Sequence, residues 1–541
     1  MISQSGNCDL AHISMVPGRR ERIDGAGTRL DNQVVFFPPR GGAYMSHAYF
    51  DDSVRGNDLH RRSLRGGAVA MISQGGNVAT QVISTIVLAR ILLPEDFGLV
   101  AMVSAITGYV AIFVDLGTRD AVSQHPRLNA GEASALYWLT AATGLVLALT
   151  TVFCAPLFAS FYSAPKLQAI TMAMAVPIML SGLYYQQYAL MRRAMMFRKL
   201  AIIDISGNSI GTALAILLAH FGYGYWALVW KPAITAFATA CGVWVTCGWW
   251  PGRPAFTQGV RVMIRFGLNV TGYIIADNIS KSMDRVALGH NYGPKELGFY
   301  QNALNVYDNA ANVSVSALHN VATATLSKLR DDLDTLRRAW STALSSLAFF
   351  AAPAFAVLAV VGQDLVVLVL GPKWKTAGTI LSVLALRGPG QVVASTHSWL
   401  HVAAGRPDRW RNWGVLNCGF TVIALLCGLR YGAIGVATSY AVLAYIVLVP
   451  ALIYAGYPLG IRTKDVLAAV GPQIFCALVT ALFGFVLRAM LFENASMLVR
   501  LIALGFLCSA FYLAVIVLGF RITKPLAVAA SLLRRRPAGG G

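Results

Sequence analysis

The sequence contains few charged residues, and acidic ones are the scarcest. Charged residues occupy 13% of its 541 positions, with 24 Asp and Glu against 44 Lys and Arg. Soluble domains carry about 25% charged residues, so this composition excludes a water-soluble globular protein. Cysteines are also few, and the eight present show no C-x-x-C spacing. We therefore expect neither a zinc site nor a disulfide framework.

Motifs of catalysis are missing as well. The sequence has no G-x-x-x-x-G-K-[ST], no H-E-x-x-H, no G-x-S-x-G and no His cluster with metal-ligand spacing. The connections between its apolar segments are too short to hold a catalytic domain. No short apolar stretch with a small-residue cleavage site begins the chain, which predicts that there is no removable signal peptide. We expect a protein that is not an enzyme and has no cofactor or metal.

Long apolar segments make up most of the chain. Hydrophobic residues account for 56% of it, and the mean hydropathy is +0.59, which predicts an all-α polytopic membrane protein. A helix needs about 20 apolar residues to cross a bilayer, and by that measure we predict fourteen transmembrane helices. These spans cover 67–89, 97–117, 134–158, 167–190, 200–220, 225–248, 262–287, 296–320, 341–370, 376–401, 410–429, 431–456, 466–488 and 497–520.

The positive charges predict the orientation of these spans. The formal net charge is +20, but Lys and Arg separate the apolar segments and form no single basic patch, so we do not expect nucleic-acid binding. Far more Lys and Arg lie in the tails and in the connections after even-numbered spans than in those after odd-numbered spans. Because such residues stay on the cytoplasmic side, we predict that both termini are cytoplasmic.

An internal repeat predicts two similar halves. LARILLPEDFG at 88–98 returns as LGHNYGPKELG at 288–298, and GYWALV at 224–229 has a weaker echo in GAIGVA at 432–437. Four positions match in step: Leu88 with Leu288, Pro94 with Pro294, Asp96 with Glu296, and Gly98 with Gly298. Six spans separate the two copies, and an even offset preserves orientation, so the halves are predicted to be parallel repeats related by an axis along the membrane normal.

This repeat sets the expected domain organisation. We expect two pseudo-symmetric six-helix lobes followed by a terminal helix pair, with a tail at each end. Residues 1–60 mix charge, Gly and Pro without an apolar period and are expected to be disordered. The expected units are a tail at 1–60, an N-terminal lobe at 61–255, a C-terminal lobe at 256–457, the terminal pair at 458–521 and a basic cytoplasmic tail at 522–541.

Polar residues inside the spans are the candidate functional residues. A charge at the bilayer centre costs roughly 2.5–3.5 kcal/mol, so such residues must face protein or water. Span seven carries acidic and basic residues on one face, span eight carries a row of Asn, and spans one, six and ten add further polar groups. The candidates for a substrate path are Asp277, Lys281, Asp284, Asn302, Asn305, Asn309, Asn312, Asn77, Gln81, Lys231, Arg387 and Gln391.

Two interpretations of these residues stay open. A hydrated cavity between the lobes, made cationic by Lys231, Lys281 and Arg387, would suit an anionic substrate such as a phosphate-bearing head group. Alternatively, Asp277, Lys281 and Asp284 form an ion network that only fixes packing, Lys231 extends to an interface, and the Asn side chains join helices. We favour the cavity. The sequence Gly388-Pro389-Gly390 is also predicted to break or kink span ten.

Four segments resemble a known family. These are QVISTIVLARILLPEDFGLVAM, FVDLGTRDAV, LMRRAMMFRKLAIID and DRVALGHNYGPKELGFYQNA. They resemble the polysaccharide transporter, or Wzx-like, oligosaccharide flippases of the multidrug/oligosaccharidyl-lipid/polysaccharide exporter superfamily, over about residues 65 to 520. The resemblance implies a flippase of the bacterial inner membrane that moves an undecaprenyl-pyrophosphate-linked oligosaccharide by alternating access. The family has no short catalytic signature, so the site candidates rest on the polar residues alone.

Two other functions and one partner are also considered. A drug or cation antiporter of the same superfamily would use a membrane carboxylate, for which Asp204, beside Asn208 and Thr212, is the candidate. A membrane polysaccharide polymerase or ligase would need a large outer loop, which the sequence lacks. The expected partners are the lipid-linked oligosaccharide and membrane lipids. The amphipathic segment 326–340 either docks another polysaccharide-assembly membrane protein or lies on anionic lipid, which we favour.

Overall fold

The chain folds into long helices joined by short turns. The structure is a computed structural model that describes residues 57–124, 128–329 and 332–522, and this described part contains no β-strand. In chain order its α-helices are α1 Asn57–Ile91, α2 Pro94–Asp115, α3 Thr118–Gln124, α4 Ala130–Phe161, α5 Lys166–Arg193, α6 Phe197–His220, α7 Trp226–Cys247, α8 Gln258–Lys328, α9 Leu333–Leu370, α10 Lys375–Ser395, α11 His397–Ala404, α12 Pro407–Leu429, α13 Gly432–Gly456, α14 Thr463–Leu491 and α15 Met497–Ala514.

These helices contain every predicted span. In the described residues, 11 helical segments are long and apolar enough to cross a membrane by length and composition. The other three predicted spans are helical too: 67–89 lies in α1, and 262–287 and 296–320 both lie in α8. They carry the polar residues that the sequence singled out. The all-α polytopic fold class is confirmed, whereas the predicted tails at 1–56 and 523–541 lie outside the described residues.

The seventh and eighth predicted spans are two helices, as the sequence predicts, and they meet directly at a kink within α8. Only Gly293 is non-helical within α8, at φ 78° and ψ −177°. A positive φ of this kind is accessible to glycine at little cost. Pro294 then begins the next helical segment, where its missing N–H is tolerated. The chain therefore changes direction between the two spans at Gly293.

Of the break or kink predicted for span ten at Pro389, the break does not occur there. Helix α10 continues through Pro389 to Ser395, and the interruption lies at Thr396, before α11. The glycines beside Pro389 instead permit close packing. A Cβ on Gly388 would lie 2.1 Å from the Phe355 ring of α9, and one on Gly390 would lie 3.2 Å from Tyr445 of α13.

The six spans of each half pack mainly on one another. In the first half, Gly144 of α4 meets Gly182 of α5, and Asn208 of α6 donates to the side chain of Asn77 in α1 at 3.0 Å. In the second half, Gly428 and Gly435 bring α12 and α13 into backbone contact. Small residues of this kind let membrane helices approach closely.

Helices α2 and α8 join the two lobes through the repeated segments. A Cβ on Gly98 would lie 1.6 Å from the carbonyl oxygen of Pro294, and a Cβ on Gly298 would lie 1.8 Å from that of Pro94. Each repeat therefore supplies the proline carbonyl that the other repeat's glycine approaches. The echo follows the same pattern: Gly224 lies beside Asp96, and Gly432 lies beside Glu296. The sequence repeat thus marks a reciprocal contact about a pseudo-twofold axis.

The terminal pair α14 and α15 packs against α9. Asp364 of α9 accepts ion pairs from Arg488 of α14 at 3.2 Å and from Arg500 of α15 at 3.0 Å, and its own side chain is only 6% exposed. Gln473 of α14 also donates to Ser345 of α9 at 2.8 Å. Two arginines that the sequence places after odd-numbered spans therefore share one buried carboxylate.

The segment 326–340 is neither a free docking helix nor one that lies on lipid. Its residues 326–328 end α8 and 333–340 begin α9, with Leu336 and Trp340 buried in the C-terminal lobe. Asp332 caps α9 by accepting hydrogen bonds from the hydroxyl and backbone N–H of Thr335, and these bonds lower its pKa. The apolar face that the sequence assigns to lipid or to a partner is thus part of the core.

Candidate functional site

Arg387 lies at the centre of a cluster of tyrosines in the C-terminal lobe. Its half-buried guanidinium lies 5.3 Å from the ring centre of Tyr440 in α13 and 5.7 Å from that of Tyr307 in α8. It also donates a long hydrogen bond of 3.3 Å to the side chain of Gln391, one turn further along α10. The structure therefore brings together Arg387 and Gln391, which the sequence placed on one helical face.

Several hydrogen-bonding groups around Arg387 have no partner among the described residues. A guanidinium has five N–H donors, and among the described residues no carboxylate lies within ion-pair distance of this one. The hydroxyls of Tyr307 and Tyr440 are buried and have no hydrogen-bond partner in the described part of the chain. Because buried polar groups are normally paired, these groups are suited to binding a polar ligand beside Arg387.

Asp284 forms the acidic border of this cluster. It is 4% exposed, and its carboxylate accepts a hydrogen bond of 2.6 Å from Tyr300 and one of 2.8 Å from the backbone N–H of Arg285. The charge of Arg387 acts on it across the cluster. The side chains of Asp277 and Lys281, its predicted partners on span seven, lie outside the described residues.

The Asn residues of α8 do not form one continuous stripe. Asn302 is fully buried and donates to the Gly298 carbonyl at 3.3 Å. Asn305 accepts from Gln301 at 2.8 Å. Asn309 lines a cleft of about 410 Å³ between α8 and α9, and Asn312 is exposed. Asn302 therefore packs near Gly298, whereas Asn309 and Asn312 lie at an open surface further along the helix.

Asp308 is a site residue that the sequence interpretation missed. It is exposed, and it lies three residues after Asn305 and four before Asn312, which places the three on one helical face. Its charge acts on Arg387. This spacing is a signal in the sequence that identifies Asp308 as part of the same face as the Asn residues. With Asp284 and Asp308 near Arg387 and Arg285, the four formal charges of this region cancel.

The N-terminal lobe carries the remaining candidates in a different arrangement. Lys231 of α7 donates to Ser84 of α1 at 2.6 Å, and Asn77 accepts from Asn208. Gln81 is exposed on α1. Lys231 thus joins two helices of its own lobe, and the structure does not bring it against Arg387.

A second cluster, of which the sequence interpretation named only Asp204, lies near the other end of the N-terminal lobe. Arg119 forms an ion pair of 2.8 Å with Asp115, and its guanidinium lies 4.3 Å from the ring centre of Tyr185. Asp204 accepts a hydrogen bond of 2.8 Å from Tyr188. The sequence pattern does not single out Arg119 or the tyrosines, because Arg119 lies in a connection and tyrosines count as apolar by hydropathy.

The lobes also meet at the face that carries both repeats, which we call the repeat face. Arg90 donates to the carbonyls of Leu368 and Val369, at the end of α9, at 2.8 and 2.9 Å. In the symmetric position, His290 lies 2.9 Å from the carbonyl of Phe161, at the end of α4. Two further side chains donate to the end of α1: Lys373 to Arg90 and Leu92 at 3.0 and 2.6 Å, and Trp374 to Ala89 at 2.8 Å.

Two lobes of six membrane-spanning helices around polar clusters define a class of membrane transporter folds. The structure aligns with the lipid II flippase MurJ in its inward closed conformation at a TM-score of 0.64, with 13% identity, covering 84% of this chain and 99% of that one. An inward-facing MATE family transporter of the MOP superfamily aligns at 0.54, with 12% identity and coverage of 71% and 94%. At these identities the likeness shows the fold alone.

The sequence comparisons identify the family. The sequence profile described as Polysaccharide biosynthesis protein matches residues 87–378, and the chain belongs to this family. It is 26% identical over 322 residues to the succinoglycan biosynthesis transport protein ExoT of Rhizobium meliloti (strain 1021), covering 59% of this chain and 64% of that protein. It is 24% identical over 420 residues to the lipopolysaccharide biosynthesis protein WzxC of Escherichia coli (strain K12), covering 74% and 83%. The resemblance drawn from the sequence is confirmed.

Proposed function

We propose that this chain is a transporter, and not an enzyme, that moves a lipid-linked oligosaccharide with a phosphate-bearing head group across the bacterial inner membrane. The family and the relatives named for succinoglycan transport and lipopolysaccharide biosynthesis support this class of substrate. The repeat face is on the outside, and both termini are cytoplasmic, in accordance with the distribution of Lys and Arg. The oligosaccharide then serves exopolysaccharide, capsule or O-antigen assembly.

The cluster around Arg387 carries this proposal. A half-buried guanidinium inside a membrane lobe is costly, and here it is enclosed by aromatic rings and has no ion-pair partner among the described residues. A phosphate would replace its missing partner through charge-assisted hydrogen bonds. Exposed Gln81, Asp308 and Asn312 on α1 and α8 supply polar groups for the sugar, since polar side chains exposed within a span are stable only against water or polar ligand.

Alternating access accounts for the contact between the lobes. The repeat-face contact of Arg90, His290, Lys373 and Trp374 closes the outer side. Release of the head group outside requires these hydrogen bonds to break while each lobe keeps its own packing. Because they are made between side chains and backbone carbonyls, water can replace them at a small net cost per bond, about 0.5–1.5 kcal/mol.

Export by Arg387 variants tests the proposal. Arg387→Gln, which keeps a polar side chain but removes the charge, should reduce polysaccharide export at least about tenfold, the change expected for losing one charge-assisted bond. Arg387→Lys should retain partial export. Arg430→Gln, which removes an exposed arginine on the repeat face, is the control. Membrane abundance is measured for all three, and normal export by Arg387→Gln would reject the site.

An antiporter of the same superfamily is the second candidate. The observation in its favour is Asp204, a membrane carboxylate bonded to Tyr188 in a lobe that also contains Asp115 and Arg119. Cation exchange needs such a carboxylate. This candidate predicts that deletion lowers resistance to cationic dyes and that Asp204→Asn fails to restore it. Unchanged resistance on deletion would exclude it.

A further inference from the structure

The connection between the two lobes is held firmly against the N-terminal lobe. Residues 248–257 run from α7 to α8 on the face opposite the repeat face, which we call the linker face. Four hydrogen bonds attach this linker to the first turns of α4. They are Ala255 N to Gly131 O at 3.0 Å, Gly252 N to Ser134 Oγ at 3.0 Å, Trp138 Nε1 to Gly252 O at 3.2 Å, and Thr257 Oγ1 to Glu132 Oε1 at 2.5 Å. The linker is therefore a defined surface.

A pocket of about 450 Å³ opens between this linker and the start of α8. It is lined by Phe256, Thr257, Gln258, Arg261, Val262 and Arg265. The two arginines lie one helical turn apart and are both exposed. Neither guanidinium has a hydrogen-bond or ion-pair partner in the part of the chain that the structure describes. We call this the linker pocket.

The electrostatics of the linker pocket favour an anion. No carboxylate is among its lining residues. The nearest acid on α4, Glu132, is buried and already accepts hydrogen bonds from Thr257 and from the backbone of Asn129. The first turn of α8 also directs N–H groups toward this end, where Thr257 caps that of Val260, and the helix dipole adds partial positive charge. Two arginines, rather than two lysines, suit a phosphate because each can bind it through two parallel N–H groups.

Exposed apolar side chains place this pocket at the membrane surface. Trp250 is 74% exposed, Phe256 is 69% exposed and Val262 is 59% exposed. Trp and other aromatic residues concentrate at the level of the lipid head groups in membrane proteins. A pocket flanked by these three side chains therefore lies where lipid phosphates are found.

We propose that the linker pocket binds the phosphate of a lipid in the adjacent leaflet through Arg261 and Arg265. The site is separate from the Arg387 cluster, and its existence does not depend on the transported substrate. Two lipid classes carry the required chemistry: an anionic glycerophospholipid and an isoprenoid diphosphate. Because the linker is bonded to α4 while the arginines belong to α8, the bound phosphate lies where the two lobes are joined.

Lipid binding to the purified full-length chain tests this site. The probe is fluorescent phosphatidylglycerol, added to the chain in a neutral detergent. The double variant Arg261→Gln/Arg265→Gln should bind it at least about tenfold more weakly, since each lost charge-assisted bond is worth a similar factor. The control is Arg411→Gln/Lys464→Gln, which removes two exposed charges from the same face and should bind as the wild type does. Helix content by circular dichroism should be equal in all three.

Competition identifies the source of the phosphate. Displacement by unlabelled phosphatidylglycerol but not by inorganic pyrophosphate supports a glycerophospholipid. Displacement by undecaprenyl diphosphate at lower concentration supports an isoprenoid diphosphate, and displacement by pyrophosphate alone at equal concentration supports phosphate recognition without the lipid chain. Wild-type binding by the Arg261/Arg265 double variant, or equal losses in both double variants, would overturn the proposal.

Discussion

Gly98 and Gly298 have no room for a side chain, because each approaches the backbone of the opposite lobe. A Cβ at either position would overlap a proline carbonyl of the other lobe, and a backbone carbonyl cannot move aside as a flexible side chain can. The sequence repeat predicted that both positions would be equivalent. It could not predict that they face each other, since a repeat reveals similarity between two segments and says nothing of their contact.

Gly98→Ala should therefore lower the stability of the folded protein. Overpacking typically costs about 1–3 kcal/mol, and a backbone overlap of this kind should reach the upper end. Gly108→Ala in the same helix is the matched control, because a Cβ there meets nothing within 4 Å. Thermal unfolding of the purified variants in detergent compares them. A Gly98→Ala midpoint equal to that of Gly108→Ala would show that this contact is absent.

Asp364 should be essential for the stability of the terminal pair. Asp364→Asn leaves Arg488 and Arg500 without their carboxylate in a largely buried position. Removing one partner of a buried ion pair typically costs about 3–5 kcal/mol. The triple variant Asp364→Asn/Arg488→Gln/Arg500→Gln should recover part of that loss, as measured by thermal unfolding. A single variant as stable as the wild type would reject the ion network.

The tyrosines around Arg387 show what residue patterns cannot provide. Arg387 and Gln391 were predicted to share a face because they lie four positions apart in one helix. Tyr307 and Tyr440 come from α8 and α13, and only tertiary packing brings them to Arg387. Tyrosine also counts as apolar in a hydropathy profile, so its hydroxyl gave no signal.

Helix boundaries were predictable where apolar length decided them. Each predicted span lies within a helix because a crossing of the bilayer needs a continuous apolar segment. The exceptions are α8 and α10, where Gly and Pro decide the local geometry. Gly293 separates the two helices of α8, and Pro389 stays inside α10. Breaker residues alone did not distinguish these two outcomes.

The turn between α9 and α10 should hold the end of α1 against the C-terminal lobe. Lys373 and Trp374 donate to three carbonyls in the last turns of α1. In an Ala89→Cys reporter, whose position is fully buried, Lys373→Gln should increase the rate of labelling by a thiol reagent severalfold, because it frees the carbonyls that it binds. Lys375→Gln, two residues away and exposed, should leave the rate unchanged. Equal rates in both variants would contradict a closing role for Lys373.

The whole molecule consists of two similar lobes that share one reciprocal contact and enclose different polar clusters. The all-α membrane fold class and the family could be predicted from the sequence, since they depend on hydropathy and shared segments. The sequence predicts that Lys231 and Arg387 line one cationic cavity. In the structure, Lys231 is bonded to Ser84 within its own lobe. Asp284 and Asp308 also lie near Arg387 without forming an ion pair with it, which composition could not reveal.

The most direct test of the account is the membrane face on which lipid-linked repeat units accumulate. A strain lacking this chain is labelled in its lipid-linked oligosaccharide, and a reagent that does not cross the membrane then modifies the sugars from outside. The account predicts accumulation on the cytoplasmic face, relieved by the wild-type chain and not by Arg387→Gln. Normal appearance of the labelled units on the outer face in the deletion strain would contradict the proposed function.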